Sequence, residues 1–251
     1  SETELIALRS GTTSIDRQIF QGKVSIPKFT TNYPESEKTY LENNVNNVLD
    51  KYGNVSQVYP NKNIKNILST LGDNGFFSLI IDKKYGGNKL TTKGLANVVT
   101  KLTTANPGLG IITMVPNSLG PSELLEQYGT VEQQEYYLPK LASGEMIPCF
   151  GLTGPNNGSD AAGAMDGGTV VMKDGKKYIK TCVDKRYITL APIADLVGLA
   201  IKVTDPNNLC GKEGVTVALL EKNHPGLSLE TYHNPLNVGF PNGTVKGEFY
   251  I

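Results

Sequence analysis

The pattern of hydrophobic residues changes near the middle of the chain, and this change constrains the fold more than any other feature. Before the change, apolar residues recur at helical spacing, as in residues 35–50 and 61–71. From Ile147 onwards they form short runs separated by Pro, Gly and Asn, which is typical of β-strands. We therefore predict an α+β fold, with a helical N-terminal domain over residues 1–146 and a small antiparallel β-barrel or sandwich over residues 147–251.

Local signals predict where several elements begin and end. Thr130 and Gln133 have the spacing of a capping box, which predicts a helix that starts at Val131. Asn, Pro and Gly at residues 106–108 predict the end of the preceding long helix. Asp and Gly inside residues 173–176 predict a β-hairpin turn between two strands.

Charge and composition exclude several classes of protein. The chain has 24 basic and 24 acidic residues among 251, which argues against a nucleic-acid partner, since such proteins carry a basic excess. No apolar run approaches the roughly 18 residues that span a bilayer, so we expect no membrane segment. The first residues have neither the charge nor the apolar stretch of a signal peptide. We therefore expect a cytoplasmic protein.

Cysteine and histidine are too few and too scattered to predict a metal site. The three cysteines are widely spaced and form no C-x-x-C pair, so we predict neither a disulfide framework nor a metal centre. Cys149 and Cys182 fall in predicted strands, where we expect them to be buried. His224 and His233 lie beside Pro- and Asn-containing turns and are interpreted as surface residues.

A strand-like run that ends in a loop rich in Gly and Asn lies at residues 147–160. Glycine allows a ligand to approach the backbone, and Thr153 and Ser159 offer hydroxyl groups beside free amides. The loop has neither the P-loop spacing nor the glycine spacing of a dinucleotide-binding fingerprint. These residues alone leave two interpretations open, a site for a polar ligand and an ordinary turn after a strand.

Three motifs, at residues 152–160, 185–189 and 129–144, resemble those of the acyl-CoA dehydrogenase family. Residues 152–160 read LTGPNNGSD, close to the family's (L/V)-T-E-P-x-x-G-S-D, with Gly154 in place of the usual Glu. Residues 185–189 read KRYIT and resemble the family's aromatic-Ile-Thr motif, with Tyr187 where Trp is more common. Residues 129–144 fit a third motif, in the helical domain. The amino-acid sequences of the motifs are similar to those of the large bacterial long-chain enzymes of fatty-acid β-oxidation.

The resemblance implies FAD as the cofactor and assigns roles to the motif residues. Thr153 and its neighbours are expected to line and hydrogen-bond the isoalloxazine ring. Ser159 is expected near the pyrophosphate or pantetheine end, where flavin and thioester meet, so it is also the substrate-binding candidate. Tyr187 and Thr189 are expected on the other side of the ring, with Thr189 near N5. The cofactor-binding candidates are Phe150, Gly151, Leu152, Thr153, Ser159, Tyr187, Ile188 and Thr189.

The family reaction oxidises a fatty acyl-CoA, here of long chain length, to trans-2-enoyl-CoA. A carboxylate removes the α-proton while the β-hydrogen leaves as a hydride to flavin N5. In the family that base is a Glu on a C-terminal helical bundle. No residue of this chain matches it, so we assign no catalytic residue. We expect the chain to lack the C-terminal bundle and, by itself, to be inactive and to bind FAD weakly.

The resemblance also implies partners, and it leaves alternatives open. The expected partners are fatty acyl-CoA, an electron-transfer flavoprotein or similar acceptor, and further copies of the full-length enzyme in a homo-oligomer. The parent protein is expected to be cytoplasmic or associated with the bacterial inner membrane. One alternative is an acyl-CoA oxidase or another flavin enzyme of the same fold. A second is a non-catalytic module that binds acyl-CoA or a partner, which Gly154 favours.

Overall fold

The computed structural model describes residues 5–6, 9, 15–25, 33–118, 120–161, 163 and 165–251. The chain divides into residues 1–34 and residues 35–251. In the first unit, helix α1 spans Asp16–Phe20, and the backbone N–H of Ser25 donates to Gln18 Oε1 at 2.8 Å. Residues 1–4, 7–8, 10–14 and 26–32 of the predicted helical domain, together with Leu119, lie outside the described residues.

The second unit begins with helices, as the sequence predicts. Val45 and Val48 of the helix at residues 35–52 are fully buried, and so is Leu102 of the helix at residues 92–105. The apolar faces of these helices therefore form one side of the core. The capping box of Thr130 and Gln133 is present in both directions. The described helices are α2 (Glu35–Tyr52), α3 (Ile64–Asp73), α4 (Thr92–Ala105), α5 (Pro107–Met114), α6 (Pro121–Tyr128) and α7 (Val131–Ser143).

Helix α5 was not predicted, because Asn106 and Pro107 were interpreted only as the end of α4. In the structure Asn106 both ends α4 and caps α5, since its side-chain oxygen accepts from the backbone N–H of Leu109 at 3.3 Å. Pro107 then occupies the first helical position, where the missing N–H costs nothing.

The described residues of the second half of the chain form one six-stranded sheet. Its strands are β1 (Pro148–Gly151), β2 (Gly167–Lys173), β3 (Lys176–Thr189), β4 (Leu196–Thr204), β5 (Gly214–Glu221) and β6 (Asn242–Tyr250). The β2–β3 hairpin closes through Asp174 and Gly175, both at positive φ, as the turn signal predicts. Barrel-like β-structure after a helical domain is therefore confirmed, whereas the boundary at residues 146/147 stays a prediction.

The pairing is mixed rather than purely antiparallel, which corrects one detail of the prediction. Strand β4 pairs parallel with β1 and β2 and antiparallel with β5. β1 pairs with residues 196–199 of β4, and β2 pairs with residues 202–204 of the same strand. On the other edge of β4, β5 pairs with residues 196–203. β1 and β2 therefore lie end to end along one edge of β4, and the loop between them leaves and rejoins that edge.

Helices and sheet share one connected hydrophobic core. It contains Ile112 from α5 together with Val183 and Leu199 from the sheet. Along β3 the buried side chains alternate, so that Cys182 points outward and is exposed, contrary to our expectation. Within the described part of the chain, no helix has both the length and the apolar content that crossing a membrane requires.

Candidate functional site

The loop after β1, residues 152–160, is hydrogen-bonded to the end of β3. The Leu152 carbonyl accepts from Lys185 Nζ at 3.0 Å and from Asn157 Nδ2 at 3.2 Å. The Thr153 carbonyl accepts from the backbone N–H of Arg186 at 3.1 Å. These two carbonyls therefore point towards β3, which brings the motif at residues 152–160 and the motif at residues 185–189 together.

Thr153 has unused hydrogen-bonding groups in this arrangement. Neither its backbone N–H nor its hydroxyl has a partner among the residues that the structure describes, and the residue is half-buried. A half-buried amide and hydroxyl without protein partners are suited to a polar ligand. Ser159 lies further along the loop, where it is exposed.

Lys185 is the buried charge beneath this loop. Its side chain is fully buried, and its ammonium lies 3.2 Å from Asp166 Oδ2. Asp166 also accepts from the backbone N–H of Asp184 at 3.3 Å. Leu152 directly follows β1, and Asp166 directly precedes β2. The Lys185 ammonium therefore links the two ends of the segment between these strands. From the sequence, Lys185 is recognisable only as part of a motif, and Asp166 has no local signal.

A β-bulge at Tyr187 forms the second part of the site. The β3–β6 register shifts between Arg186 and Ile188, and Tyr187 adopts φ 63°, a left-handed conformation that disfavours a bulky residue. The residue is 60% exposed, and the centroid of its ring lies 5.0 Å from that of His233, with 47° between the two ring planes. Backbone strain of this kind concentrates at functional sites. We call residues 187–189 the Tyr187 wall.

The remaining two residues of the Tyr187 wall differ in what they present. The side chain of Ile188 is buried in the core, so only its backbone is available to a ligand. Thr189 is half-buried, and its hydroxyl oxygen accepts from Asn242 Nδ2 at 3.2 Å. On the loop side, Gly151 is buried at the end of β1 and Phe150 is half-buried.

Two buried polar atoms behind the Tyr187 wall have no partner among the described residues: His233 Nδ1 and Asn242 Oδ1. The two residues are also joined, because the backbone N–H of His233 donates to the Asn242 carbonyl at 2.6 Å. His233 is half-buried against Tyr187, so its interpretation as a surface turn residue was wrong. Long-range β pairing brings these residues together, and a local pattern does not report it.

Gly154, the departure from the family motif, is buried in a confined position. A Cβ atom there would lie 2.8 Å from Asn157 Oδ1 and 3.3 Å from the Asp184 carbonyl oxygen. Asn157 is itself buried and donates to the carbonyls of Leu152 and Ala161. The Asn157 amide therefore fills the space that a side chain at residue 154 would need.

Other groups of the chain do not contribute to this site. A cavity of about 750 Å³ lies between α6, α7 and β5, with Tyr137 and Val217 in its lining, and includes none of the predicted site residues. Burial raises the pKa of the Cys149 thiol, which therefore stays protonated. No cluster of three potential metal ligands occurs within the described ranges.

Comparison with known proteins identifies the family. The model of the acyl-CoA dehydrogenase N-terminal domain matches residues 35–145, and that of the middle domain matches residues 149–246. An acyl-CoA dehydrogenase of Bacillus subtilis is 28% identical over 71% of this chain and 45% of its own length. A 3-(aryl)acrylate reductase of Clostridium sporogenes is 34% identical over 65% of this chain and 41% of its own.

A solved structure shares the fold. The acyl-CoA dehydrogenase of Bacillus anthracis, whose structure was determined in complex with FAD, superimposes with a TM-score of 0.75 and 21% identity. The superposition covers 88% of this chain and 38% of that protein. The chain thus spans less than half the length of these relatives. Two domain models in family order, covering most of residues 35–246, show that the chain belongs to the acyl-CoA dehydrogenase family.

Proposed function

We propose that this chain carries the cofactor-binding part of an FAD-dependent enzyme that oxidises long-chain fatty acyl-CoA to trans-2-enoyl-CoA in fatty-acid β-oxidation. The observation that carries the proposal is the contact between two motifs. The Thr153 carbonyl is hydrogen-bonded to Arg186, immediately before the Tyr187 wall. Loop 152–160 and the Tyr187 wall thus border one common surface.

The polar groups of this surface fit a flavin. An isoalloxazine ring presents both hydrogen-bond donors and acceptors along its polar edge. Thr153 offers an amide and a hydroxyl that have no partner in the described part of the chain. The proposed cofactor contacts are Phe150, Gly151, Leu152, Thr153, Ser159, Tyr187, Ile188 (through its backbone) and Thr189.

The residues of this chain would orient the reacting groups rather than transfer protons. Bound FAD supplies the acceptor for the hydride that leaves the β-carbon of the substrate. Thr153 and Thr189 would fix the ring by hydrogen bonds, and the Tyr187 ring would cover one side and exclude water. Ser159 is proposed to contact the pyrophosphate or the pantetheine arm. We assign no base for the α-proton to these residues.

The partners belong to the whole protein, and they are proposed on the same basis. They are a fatty acyl-CoA substrate, an electron-transfer flavoprotein or similar acceptor, and further copies of the same polypeptide. A cytoplasmic location, or association of the whole protein with the bacterial inner membrane, stays a prediction.

The first test is the visible absorption spectrum of the full natural polypeptide that contains these residues. We expect a flavin band that bleaches when a long-chain acyl-CoA is added without oxygen. Butyryl-CoA serves as the matched substrate, because it differs only in the length of the acyl chain. A flavin that bleaches with butyryl-CoA but not with the long-chain acyl-CoA would contradict the long-chain assignment but not the reaction.

The same preparation separates the alternatives. Reduced flavin that reoxidises rapidly with oxygen alone would identify an acyl-CoA oxidase, whereas reoxidation that needs an electron-transfer flavoprotein supports the dehydrogenase. A protein that binds acyl-CoA but no FAD would contradict the proposal and support the alternative of a non-catalytic module that binds acyl-CoA.

A further inference from the structure

Asn242 occupies an unusual position behind the proposed flavin surface. It is 3% exposed and is the first residue of β6, where it pairs with Thr189 across the sheet. Its backbone carbonyl accepts from His233 at 2.6 Å, and the carbonyl of the preceding Pro241 accepts from the N–H of Leu190 at 2.8 Å. The backbone around Asn242 is therefore held on two sides.

The side-chain amide of Asn242 has one partner among the described residues. Its Nδ2 donates to Thr189 Oγ1 at 3.2 Å, while its Oδ1 is buried and unpaired. The opposite amide orientation would leave an NH₂ group, with two donors, buried and unpaired in place of one oxygen. Buried unpaired carbonyl oxygens occur more often than buried unpaired N–H groups, so the orientation with Nδ2 towards Thr189 is favoured.

This orientation determines what Thr189 is able to offer. A threonine hydroxyl has one donor and two acceptor lone pairs. With Asn242 donating to the oxygen, the O–H hydrogen points elsewhere, and it has no partner within the described part of the chain. Thr189 therefore presents a hydrogen-bond donor, which suits a ligand atom with a free lone pair such as a ring nitrogen of oxidised flavin.

We propose that Asn242 is a positioning residue that directs the hydroxyl of Thr189 towards the flavin as a hydrogen-bond donor. The proposal rests on the proposed function, because it requires a flavin at the Tyr187 wall. It assigns to Asn242 a role that depends entirely on Thr189.

The dependence on Thr189 makes a double-mutant cycle the sharpest test. Asn242→Asp keeps the shape of the side chain but replaces the NH₂ donor by a carboxylate oxygen. That oxygen accepts from the Thr189 hydroxyl and turns its hydrogen away from the site. We expect the Kd for FAD, measured by flavin fluorescence in the full natural polypeptide, to rise about tenfold. Thr189→Val should raise it by a similar factor.

The result that decides the proposal is the double variant. In the Thr189→Val background, Asn242→Asp should change the Kd less than twofold, because no hydroxyl remains to be redirected. Equal effects of Asn242→Asp in both backgrounds would show a simple charge effect and overturn the proposal. Asn237→Asp is the control for the added charge: it makes the same substitution five residues earlier in the chain, at an exposed position where the side-chain oxygen already accepts. It should leave the Kd within twofold of the wild type.

A second variant covers the case in which a buried carboxylate prevents folding. Asn242→Ala removes the donor without adding charge, which frees the Thr189 hydroxyl to rotate, and should raise the Kd about threefold, again only when Thr189 is present. Far-UV circular dichroism of each apoprotein checks the fold. A wild-type protein that binds no FAD would overturn the proposed function and this role together, whereas additive effects in a protein that binds FAD would overturn the role of Asn242 alone.

Discussion

The ammonium of Lys185 lies 3.2 Å from the carboxylate of Asp166, at the point where β1 has ended and β2 has not begun. The same ammonium donates to the Leu152 carbonyl. One buried cation thus joins both ends of the loop that carries the first motif to the strand that carries the second. The geometry of the proposed flavin surface therefore depends on a charge that does not itself face the ligand.

Removal of either partner of this pair should destabilise the protein, but not equally. Lys185 is fully buried whereas Asp166 is 22% exposed, so Asp166→Ala leaves the more costly unpaired charge. We expect Asp166→Ala to lower the free energy of unfolding by roughly 3 kcal/mol and Lys185→Met by about 1 kcal/mol, measured by urea titration. The double variant should lose less than the sum. Equal losses for the two single variants would contradict this account.

Gly154→Ala should disturb the loop because the added Cβ would lie 2.8 Å from Asn157 Oδ1. We expect a loss of about 1–2 kcal/mol in the free energy of unfolding and weaker FAD binding, since the displaced amide holds the Leu152 carbonyl. Gly158→Ala is the matched control, because a Cβ there meets nothing within 4 Å. If the two variants behave alike, the fit between Gly154 and Asn157 has no energetic role.

The left-handed backbone of Tyr187 predicts an unusual order of stabilities. Tyr187→Gly and Tyr187→Ala both remove the ring that contacts His233, but only glycine adopts φ 63° without steric cost. We expect the apoprotein of Tyr187→Gly to be more stable than that of Tyr187→Ala by roughly 1 kcal/mol in thermal unfolding. Both variants should bind FAD more weakly than the wild type. A more stable alanine variant would show that the bulge relaxes when the ring is removed.

Asp205 should make stability depend on pH at acidic values. Burial raises the pKa of its carboxyl group, but hydrogen bonds from the backbone N–H groups of Cys210, Leu209 and Gly211 outweigh burial and hold the pKa below its ordinary value. At pH values above the ordinary pKa of a carboxyl group, the ionised Asp205 contributes its full stabilisation of the folded state. This contribution is lost as the pH falls through the lowered pKa of the folded protein.

Asp205→Asn tests this linkage by a comparison of urea midpoints across pH. The variant should be less stable than the wild type at neutral pH, and the difference should shrink as the solution becomes acidic. Asp174→Asn makes the same charge change on the exposed β2–β3 turn and should not reproduce this trend. A difference that stays constant down to acidic pH would contradict the role of the ionised carboxylate.

Local signals predicted those elements whose cause is local. The capping box at Thr130 and the Asp-Gly turn at residue 174 act over four residues, so the sequence reports them directly. The parallel pairing of β4 was not predicted, because it depends on which strands meet after the chain has crossed the sheet. Helix α5 was missed for a different reason, since Asn106 serves two helices and only one of them was recognised.

The candidate site divides in the same way. Thr153 and Tyr187 were recognised because they belong to motifs, and a hydrogen bond from the N–H of Arg186 to the Thr153 carbonyl joins the two segments. Asn242 and Asp166 act through pairing across the sheet and through burial, which leave no pattern in the neighbouring sequence. His233 was misjudged because a turn nearby does not report whether tertiary contacts cover it.

The end-to-end arrangement of β1 and β2 on one edge of β4 has a consequence for how the loop between them can vary. Residues 152–166 are an excursion from what is otherwise a single row of partners for β4. An insertion or deletion there leaves the pairing of both flanking strands unchanged. The loop of the proposed flavin surface is thus free to vary in length while the sheet beneath it keeps its register.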